Sequence, residues 1–280
     1  MQVSIDVPRL QGSRIEIAGA MLYRRVDDGW GQKVCRADIG KGVNMSNLTK
    51  ETWDEVMALS SGLNLLLGPN ATDRYIFDPK RLCFFLSRYK FAAKMLKRCS
   101  IIVDVGCGDG MGTLTFAADT QAKLIIGVDF DQRLINHANK VLLPCVEQST
   151  PNYWSRIRFL QHDVLEKPIP LEADERGAEG LACLDVIEHI EEKLEHEFLA
   201  RLSDCLIDHG VAVIGTPSDT ARNYASNYSD VGHINNYSSD RLQDSLEKHF
   251  QRVLMFSMND EVVHTGFDKL AHYLIAVCVK

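Results

Sequence analysis

The sequence has no surplus of basic residues and no long apolar run. Of its 280 residues, 31 are Lys or Arg and 38 are Asp or Glu, which gives a net charge of -7. Binding to a phosphate backbone requires many basic side chains, so this balance predicts that nucleic acid is not a partner. No window approaches the roughly 20 apolar residues of a membrane span, so no membrane partner is predicted either.

The eight cysteines include no C-x-x-C pair. Zinc sites use closely spaced ligands, and disulfide frameworks are typical of short secreted chains. The N-terminal sequence MQVSIDVPRL also lacks the basic start and the apolar run of a signal peptide. Together these absences predict free thiols in a reducing compartment, and therefore a cytoplasmic protein.

Strand-like and helix-like segments alternate from residue 100 onward. Short apolar segments predict seven strands, at Ile101–Val105, Leu124–Val128, Arg156–Leu160, Leu181–Val186, Gly210–Gly215, Arg252–Met258 and Ala271–Val279. The stretches between them, such as Glu191–Cys205, carry apolar residues at helical spacing. This alternation predicts an α/β fold with a doubly wound, mostly parallel seven-stranded sheet and helices on both faces.

The first 70 residues follow a different pattern. Ser13–Leu22 and Gly31–Ala37 resemble strands, and Lys50–Gly62 resembles a helix. The stretch Gly68–Asp73 is rich in turn-forming residues. We therefore predict an N-terminal strand-rich appendage over residues 1–70 and a second domain over residues 71–280. The appendage would serve as a homodimer contact or as a lid, and the sequence does not choose between the two.

A glycine-rich loop, Gly106–Gly112, follows the first strand of the second domain. Parallel sheets bind ligands at the carboxyl ends of their strands, where glycines let the backbone approach the ligand. The dinucleotide fingerprint G-x-G-x-x-G does not fit this loop. Its third glycine position holds Met111 when counted from Gly106, and Thr113 when counted from Gly108.

The loop instead resembles the first motif of class I S-adenosylmethionine-dependent methyltransferases, in which an acidic residue precedes G-x-G-x-G. Here that motif is formed by Asp104, Gly106, Gly108 and Gly110. The resemblance implies that S-adenosylmethionine is the cofactor and that its amino-acid part lies against this loop, which includes Cys107. It also implies that the acids after the next two strands bind the ribose and the adenine. Those acids and the residues after them are Asp129, Phe130, Asp163 and Val164.

Two further segments carry the resemblance over about residues 80–280. The D-V-I-E-H segment that begins at Asp185 resembles the ubiquinone-biosynthesis O-methyltransferases. The segment Arg88–Ala92, R-Y-K-F-A, resembles a helix of sugar- and small-molecule-modifying members. These likenesses imply that Asp185 borders the cofactor and that Arg88 pairs with the cofactor carboxylate, a partner suited to its planar fork.

Histidines are the candidate catalytic groups. A hydroxyl acceptor must lose its proton, and a His with its ordinary pKa of about 6.5 suits that task. His233 lies in a G-H-x-x-x-Y-S stretch that faces the acceptor in related enzymes, so it is the predicted base or acceptor-binding group. The same resemblance places His189 near the methyl group. The predicted substrate-binding residues are Tyr237, Asn259 and His264.

No metal site is predicted. Asp185, Glu188 and His189 offer ligands for a divalent ion, but the two acids have simpler uses at the cofactor edge. The polar candidates favour a small-molecule acceptor, and we predict O-methylation of a polar metabolite such as a sugar or a glycan precursor. Two alternatives stay open: N-methylation of a small-molecule or protein amine, and a cofactor-binding scaffold without activity.

Overall fold

The computed structural model describes residues 15–18, 21–26, 33–36, 53, 57–58, 64–149, 154–171, 177–224 and 232–280. It divides into two compact units, residues 1–65 with 148–151, and residues 66–147 with 152–280. Most of the helix predicted at Lys50–Gly62 lies outside the described residues. In the described part of the chain, none of the helices has both the length and the apolar character of a membrane span.

The first unit contains a small antiparallel sheet. Its strands are β1 (Ile15–Ala18), β2 (Met21–Val26) and β3 (Lys33–Arg36), and β2 lies in the middle. Both pairings are antiparallel and adjacent in sequence, as is usual for strands joined by short connections. The role predicted for this segment, in dimer formation or as a lid, stays a prediction.

The second unit is built on a mixed sheet of eight strands. They are β4 (Ile101–Val105), β5 (Leu124–Asp129), β6 (Ile157–Gln161), β7 (Ala178–Leu184), β8 (Leu206–Pro217), β9 (Arg252–Asn259), β10 (Val262–His264) and β11 (Tyr273–Val279). Their order is β10-β9-β11-β8-β7-β4-β5-β6. The pairings among β4 to β8 are parallel, whereas β11 runs antiparallel to both β8 and β9.

The seven-strand prediction is one strand short. The missing strand is β10, three residues that pair antiparallel with the end of β9. Asp260 makes the turn between them with a φ of 49°, a left-handed conformation that Asp tolerates better than most residues. A three-residue strand is too short to show the alternation by which strands are recognised in a sequence.

Helices lie on both faces of the sheet of the second unit. The α-helices from residue 69 onward are α1 (Pro69–Phe77), α2 (Pro79–Met95), α3 (Thr113–Asp119), α4 (Gln132–His137), α5 (Leu143–Ser149), α6 (Glu195–Cys205) and α7 (Ser239–Leu246). Successive strand residues point to opposite faces. Ile102 therefore packs in the core layer that contains residues of α2 and α3, while Val103 packs in the layer that contains residues of α6 and α7.

Strand β7 ends two residues earlier than the sequence predicts. It stops at Leu184, and Asp185 has a left-handed φ of 59°. The backbone N–H of Asp185 donates to the Gly215 carbonyl of β8 at 3.0 Å, after which the chain turns into a 3-10 helix at Ile187–His189. The turn therefore places Asp185, Glu188 and His189 at the carboxyl edge of the parallel strands.

Candidate functional site

The glycine loop between β4 and α3 has backbone conformations that favour glycine. Gly106, Gly108 and Gly110 have φ values of 72°, 58° and 86°, a region in which a side chain is strained. A Cβ at Gly106 would lie 2.2 Å from Cγ2 of Val186, far inside van der Waals contact. The loop thus lies directly against the segment that follows β7.

The first acid of the motif faces the protein interior. Asp104 is fully buried, and its carboxylate accepts hydrogen bonds from Thr113 Oγ1 at 2.6 Å and from Tyr89 Oη at 3.4 Å. Burial raises the pKa of Asp104 to about 7. Cys107 is also buried, which raises the pKa of its thiol. Asp104 therefore ties β4 to α2 and α3, behind the loop.

Asp129 supports the front of the loop. One of its carboxylate oxygens accepts from the Gly108 N–H and the other from the Asp131 N–H, both at 2.9 Å. Burial raises the pKa of Asp129 above its ordinary value. A carboxylate has about four acceptor positions, so two protein donors leave capacity for the two hydroxyls of a ribose.

A cavity opens beside Asp129, where the sequence predicts the nucleoside part of the cofactor. Its lining includes Gly106, Asp129, Phe130, Asp163 and Val164. The Phe130 ring is 72% exposed, which leaves its face open for stacking against a planar base. Asp163 accepts from the Leu165 N–H at 2.9 Å and so holds its own turn in place. These residues of the predicted cofactor set are brought together at one edge of the sheet.

Arg88 and Asp185 form an ion pair. Nη1 of Arg88 donates to both carboxylate oxygens of Asp185, at 2.7 and 2.8 Å, and the guanidinium lies 3.6 Å from the ring centre of Tyr273. Burial opposes ionisation of Asp185, but the charges of Arg88 and Arg74 and the hydrogen bonds from Tyr273 and Arg88 together outweigh it, and the pKa of Asp185 is lowered. Arg88 thus already has an acidic partner at the edge where the sequence predicts a cofactor carboxylate.

Three side chains converge just beyond this ion pair. Glu188, His189 and His233 each offer one ligand atom, and these atoms all lie within 4.8 Å of one another. Nδ1 of His189 is 2.8 Å from the Gly232 carbonyl, which can only accept, so Nδ1 donates this hydrogen bond and Nε2 is the other ring nitrogen. The His189 and His233 rings are 5.1 Å apart in an edge-to-face arrangement. The two predicted catalytic histidines are therefore neighbours.

Glu188 is the residue that the sequence interpretation undervalued. It is 2% exposed, and its Oε2 accepts from Thr216 Oγ1 at 3.0 Å. Its Oε1 is buried and has no hydrogen-bond partner among the described residues. Burial and the charge of Asp185 raise the pKa of Glu188. The adjacent Glu188 and His189 are a visible signal in the sequence. The sequence does not show, however, that His233 lies close to them in the folded chain.

The predicted substrate-binding residues lie in two other places. Tyr237 is fully buried, and its hydroxyl donates to Glu195 at 2.6 Å, so it is not available to contact an acceptor. Asn259 and His264 interact with each other at 3.2 Å in the β9–β10 hairpin. The amide of Asn259 fits best with its oxygen accepting from His264 Nε2. Substrate binding by Asn259 and His264 stays a prediction.

Known proteins share the fold and part of the sequence. A U6 snRNA methylphosphate capping enzyme from Drosophila melanogaster is 30% identical over 91 residues, which are 32% of this chain and 30% of that protein. The chain thus spans less than a third of the length of this curated relative.

Two solved structures are similar in fold. The N-methyltransferase NodS from Bradyrhizobium japonicum, in complex with S-adenosylhomocysteine, gives a TM-score of 0.50 at 16% identity and covers 74% of this chain and 90% of its own. The small RNA methyltransferase HEN1 gives a TM-score of 0.55 at 19% identity and covers 69% of this chain and 25% of its own.

These likenesses contradict the prediction that nucleic acid is not a partner, because one relative is a U6 snRNA capping enzyme and one structural neighbour is a small RNA methyltransferase. The prediction rested on the net charge of the whole chain. Binding depends on the local potential around a site, which a whole-chain sum does not report. The net charge was therefore insufficient grounds to exclude RNA.

The family model "Methyltransferase domain" matches residues 75–249, more than half of the chain. This range includes the glycine loop, Asp129, Asp163 and the Glu188–His189–His233 group. The cofactor predicted from the loop is confirmed by the family and by the neighbour that binds S-adenosylhomocysteine. The chain belongs to the methyltransferase domain family and is an S-adenosylmethionine-dependent methyltransferase.

Proposed function

We propose that this enzyme methylates a sugar hydroxyl and that Glu188, His189 and His233 hold a divalent metal ion beside the reacting oxygen. The observation that carries the proposal is the environment of Glu188. Its Oε1 is buried and has no hydrogen-bond partner in the described part of the chain, and one of its carboxylate oxygens lies within 4.8 Å of a ring nitrogen of His189 and of His233. A buried carboxylate oxygen without a partner is costly to the fold. A cation in contact with it would remove that cost.

The spacing of the three ligand atoms fits one ion. Ligands at about 2.1 Å from a common ion lie up to about 4.2 Å apart. Only one pair can be opposite, and three ligands spread evenly around an ion are about 3.6 Å apart. Atoms within 4.8 Å of one another therefore need to close by about an ångström. One carboxylate oxygen and two imidazole nitrogens suit a first-row transition ion better than Mg²⁺ or Ca²⁺, which prefer oxygen ligands throughout.

The position of the group favours a role in methyl transfer. It follows β7 directly, and Val186 of the same segment lies against Gly106 of the cofactor loop. When bound, S-adenosylmethionine supplies an electrophilic methyl group, while the protein supplies orientation and a dry site. The acceptor would therefore approach between the loop and the Glu188 group.

A metal ion favours oxygen over nitrogen as the methyl acceptor. A hydroxyl must lose a proton to react well, and a divalent ion lowers the pKa of a hydroxyl that it contacts. A neutral amine needs no such help. Three protein ligands leave coordination positions open for the acceptor. The second candidate is a mechanism without metal, in which His233 takes the proton directly and His189 shapes the pocket.

The acceptor class follows from the same reasoning. Sugars carry several hydroxyls that an ion and nearby polar side chains can orient. A ribose in RNA also belongs to this class, and one structural neighbour is a small RNA methyltransferase. Small sugars, sugar nucleotides and RNA ends are therefore acceptors to test together, with amines for comparison.

The test measures transfer of labelled methyl groups by the full chain. We expect activity on a hydroxyl acceptor to disappear after treatment with a chelator and to return with Mn²⁺, Co²⁺ or Zn²⁺. His189→Ala and His233→Ala are expected to lower kcat at least a hundredfold, while the affinity for S-adenosylhomocysteine changes less than twofold. His196→Ala, which removes an exposed His that contacts His249, is the matched control.

Two results would decide against this reaction. Full activity in the presence of chelator, with activity still lost in His233→Ala, would replace the ion by a histidine base. Transfer to amines alone, with every sugar and RNA inactive, would show that the enzyme is an N-methyltransferase.

A further inference from the structure

A second buried carboxylate lies next to the proposed metal group and takes no direct part in it. Glu195, the first residue of α6, is 3% exposed. Its Oε2 accepts hydrogen bonds from Tyr237 Oη at 2.6 Å, Asn235 Nδ2 at 3.0 Å and Arg241 Nη2 at 2.7 Å. A buried charge is tolerated only with good partners, and Glu195 has three of them on one oxygen.

All three partners belong to the segment that carries His233. Asn235 and Tyr237 follow His233 by two and four residues, and Arg241 lies in the first turn of α7. Asn235 Nδ2 also lies 2.7 Å from Tyr237 Oη, and the Arg241 guanidinium stacks 4.3 Å from the centre of the Tyr237 ring. Oε2 of Glu195 thus binds three side chains of the segment 235–241 at the same time.

The same segment is tied to the other two ligands. The Asn235 N–H donates to the Glu188 carbonyl at 3.0 Å, and the Gly232 carbonyl accepts from Nδ1 of His189 at 2.8 Å. His233 therefore lies between two contacts that join its segment to the Glu188–His189 turn. Asn235 makes one of these contacts through its backbone and contacts Glu195 through its side chain.

We propose that Glu195 is a positioning residue that sets the location of His233 relative to Glu188 and His189. This inference rests on the proposed function, which assigns metal binding to the Glu188–His189–His233 group. Glu195 acts through Asn235 and Tyr237 and touches neither the acceptor nor the ion. Residues that orient metal ligands in this way typically change metal affinity 10- to 100-fold when they are replaced.

The experiment compares Glu195→Gln with Glu197→Gln, a matched change on α6 at a side chain that is 52% exposed. Mn²⁺ affinity is measured by calorimetry on the full chain. We expect the Kd for Mn²⁺ to rise at least tenfold in Glu195→Gln and less than twofold in Glu197→Gln. The Kd for S-adenosylhomocysteine should change less than twofold in both, because Glu195 is not part of the cofactor cavity.

A double-variant cycle separates positioning from general loss of stability. If Glu195 acts through His233, the tenfold effect on Mn²⁺ affinity should vanish when His233→Ala is already present. Tyr237→Phe, which removes one donor and keeps the ring, should give a smaller effect of the same sign. An equal loss of Mn²⁺ affinity with and without His233 would overturn the proposal.

Labelled histidine ring signals in NMR give a readout that needs no metal. Glu195→Gln should shift or broaden the His233 signal and leave that of His137, on α4, in place. If the wild-type chain binds no Mn²⁺ but this response is seen, the metal is wrong and the positioning role stands. If the wild type binds Mn²⁺ and neither the His233 signal nor the Kd changes in Glu195→Gln, the positioning role is wrong and the proposed metal site stands.

Discussion

Replacing Asp104 by Asn is expected to stabilise the protein at alkaline pH. Asp104 is fully buried between β4, α2 and α3, where it accepts hydrogen bonds from Thr113 and Tyr89. An Asn at this position keeps the size of the side chain and can still accept from the Thr113 hydroxyl. Its amide group can donate to the Tyr89 oxygen. The change therefore removes the charge while it preserves the packing.

The magnitude follows from the pKa of Asp104, which burial raises from 3.8 to about 7. The folded state holds this proton more tightly than the unfolded chain, so the free energy of unfolding falls as the pH rises through the folded value. One pKa unit corresponds to about 1.4 kcal/mol, which gives about 4 kcal/mol once the group is fully ionised. By linkage, about 3 kcal/mol of that loss falls between pH 5 and pH 8.

Urea unfolding of the full chain at pH 5 and pH 8 measures this effect. The gain in unfolding free energy of Asp104→Asn over wild type should be larger at pH 8 than at pH 5 by about 3 kcal/mol. Asp129 and Glu188 also have raised pKa values, but they are the same in both chains and cancel in the comparison. Asp244→Asn, at an exposed position of α7, should show no such difference. A parallel pH dependence in wild type and Asp104→Asn would refute the argument.

Three more predictions concern the cofactor edge. Gly106→Ala should lower the affinity for S-adenosylhomocysteine at least a hundredfold in calorimetry, because its Cβ would overlap Val186 and its φ is 72°. Phe130→Ala should weaken the same binding by about 1–3 kcal/mol, the usual contribution of an aromatic ring stacked on a base. Because the ring is exposed, the same change should alter the free energy of unfolding by less than about 0.5 kcal/mol. Arg88→Met should lower the free energy of unfolding by about 2–3 kcal/mol, since it leaves Asp185 largely buried without its partner, and Arg88→Met with Asp185→Asn should lose less.

The parts of the fold that depend on local pattern could be predicted from the sequence. The segment Ile101–Val105, apolar except for Asp104, predicts β4 with the bounds that the structure has. The prediction for β8, Gly210–Gly215, is too short, because the strand extends from Leu206 to Pro217. Beyond the predicted limits, Leu206 pairs with Ala178 of β7, and Thr216 and Pro217 pair with β11, so contacts with neighbouring strands determine both ends of the strand.

In the candidate site, too, the features that depend on residues close in sequence could be predicted, and those that depend on distant residues could not. The cofactor loop could be identified because its glycines and acids are close in sequence and occupy successive strand ends. The Glu188–His233 convergence could not, because 45 positions separate the two residues and their meeting depends on how the chain returns after β8. Tyr237 was assigned to the substrate for the same reason, since its partner Glu195 is 42 residues away.

The ion pair between Arg88 and Asp185 does not rule out the predicted contact of Arg88 with the cofactor. Nη1 alone serves both oxygens of Asp185, while the buried Nε of Arg88 has no partner among the described residues. A guanidinium has five N–H donors in a fixed plane. Nη1 can therefore bind Asp185 while the other nitrogens bind a second carboxylate. The sequence-based assignment of Arg88 to the cofactor and the observed pair are therefore compatible. A lysine would supply only a point charge, so the predicted double role of Arg88 depends on the planar fork of an arginine.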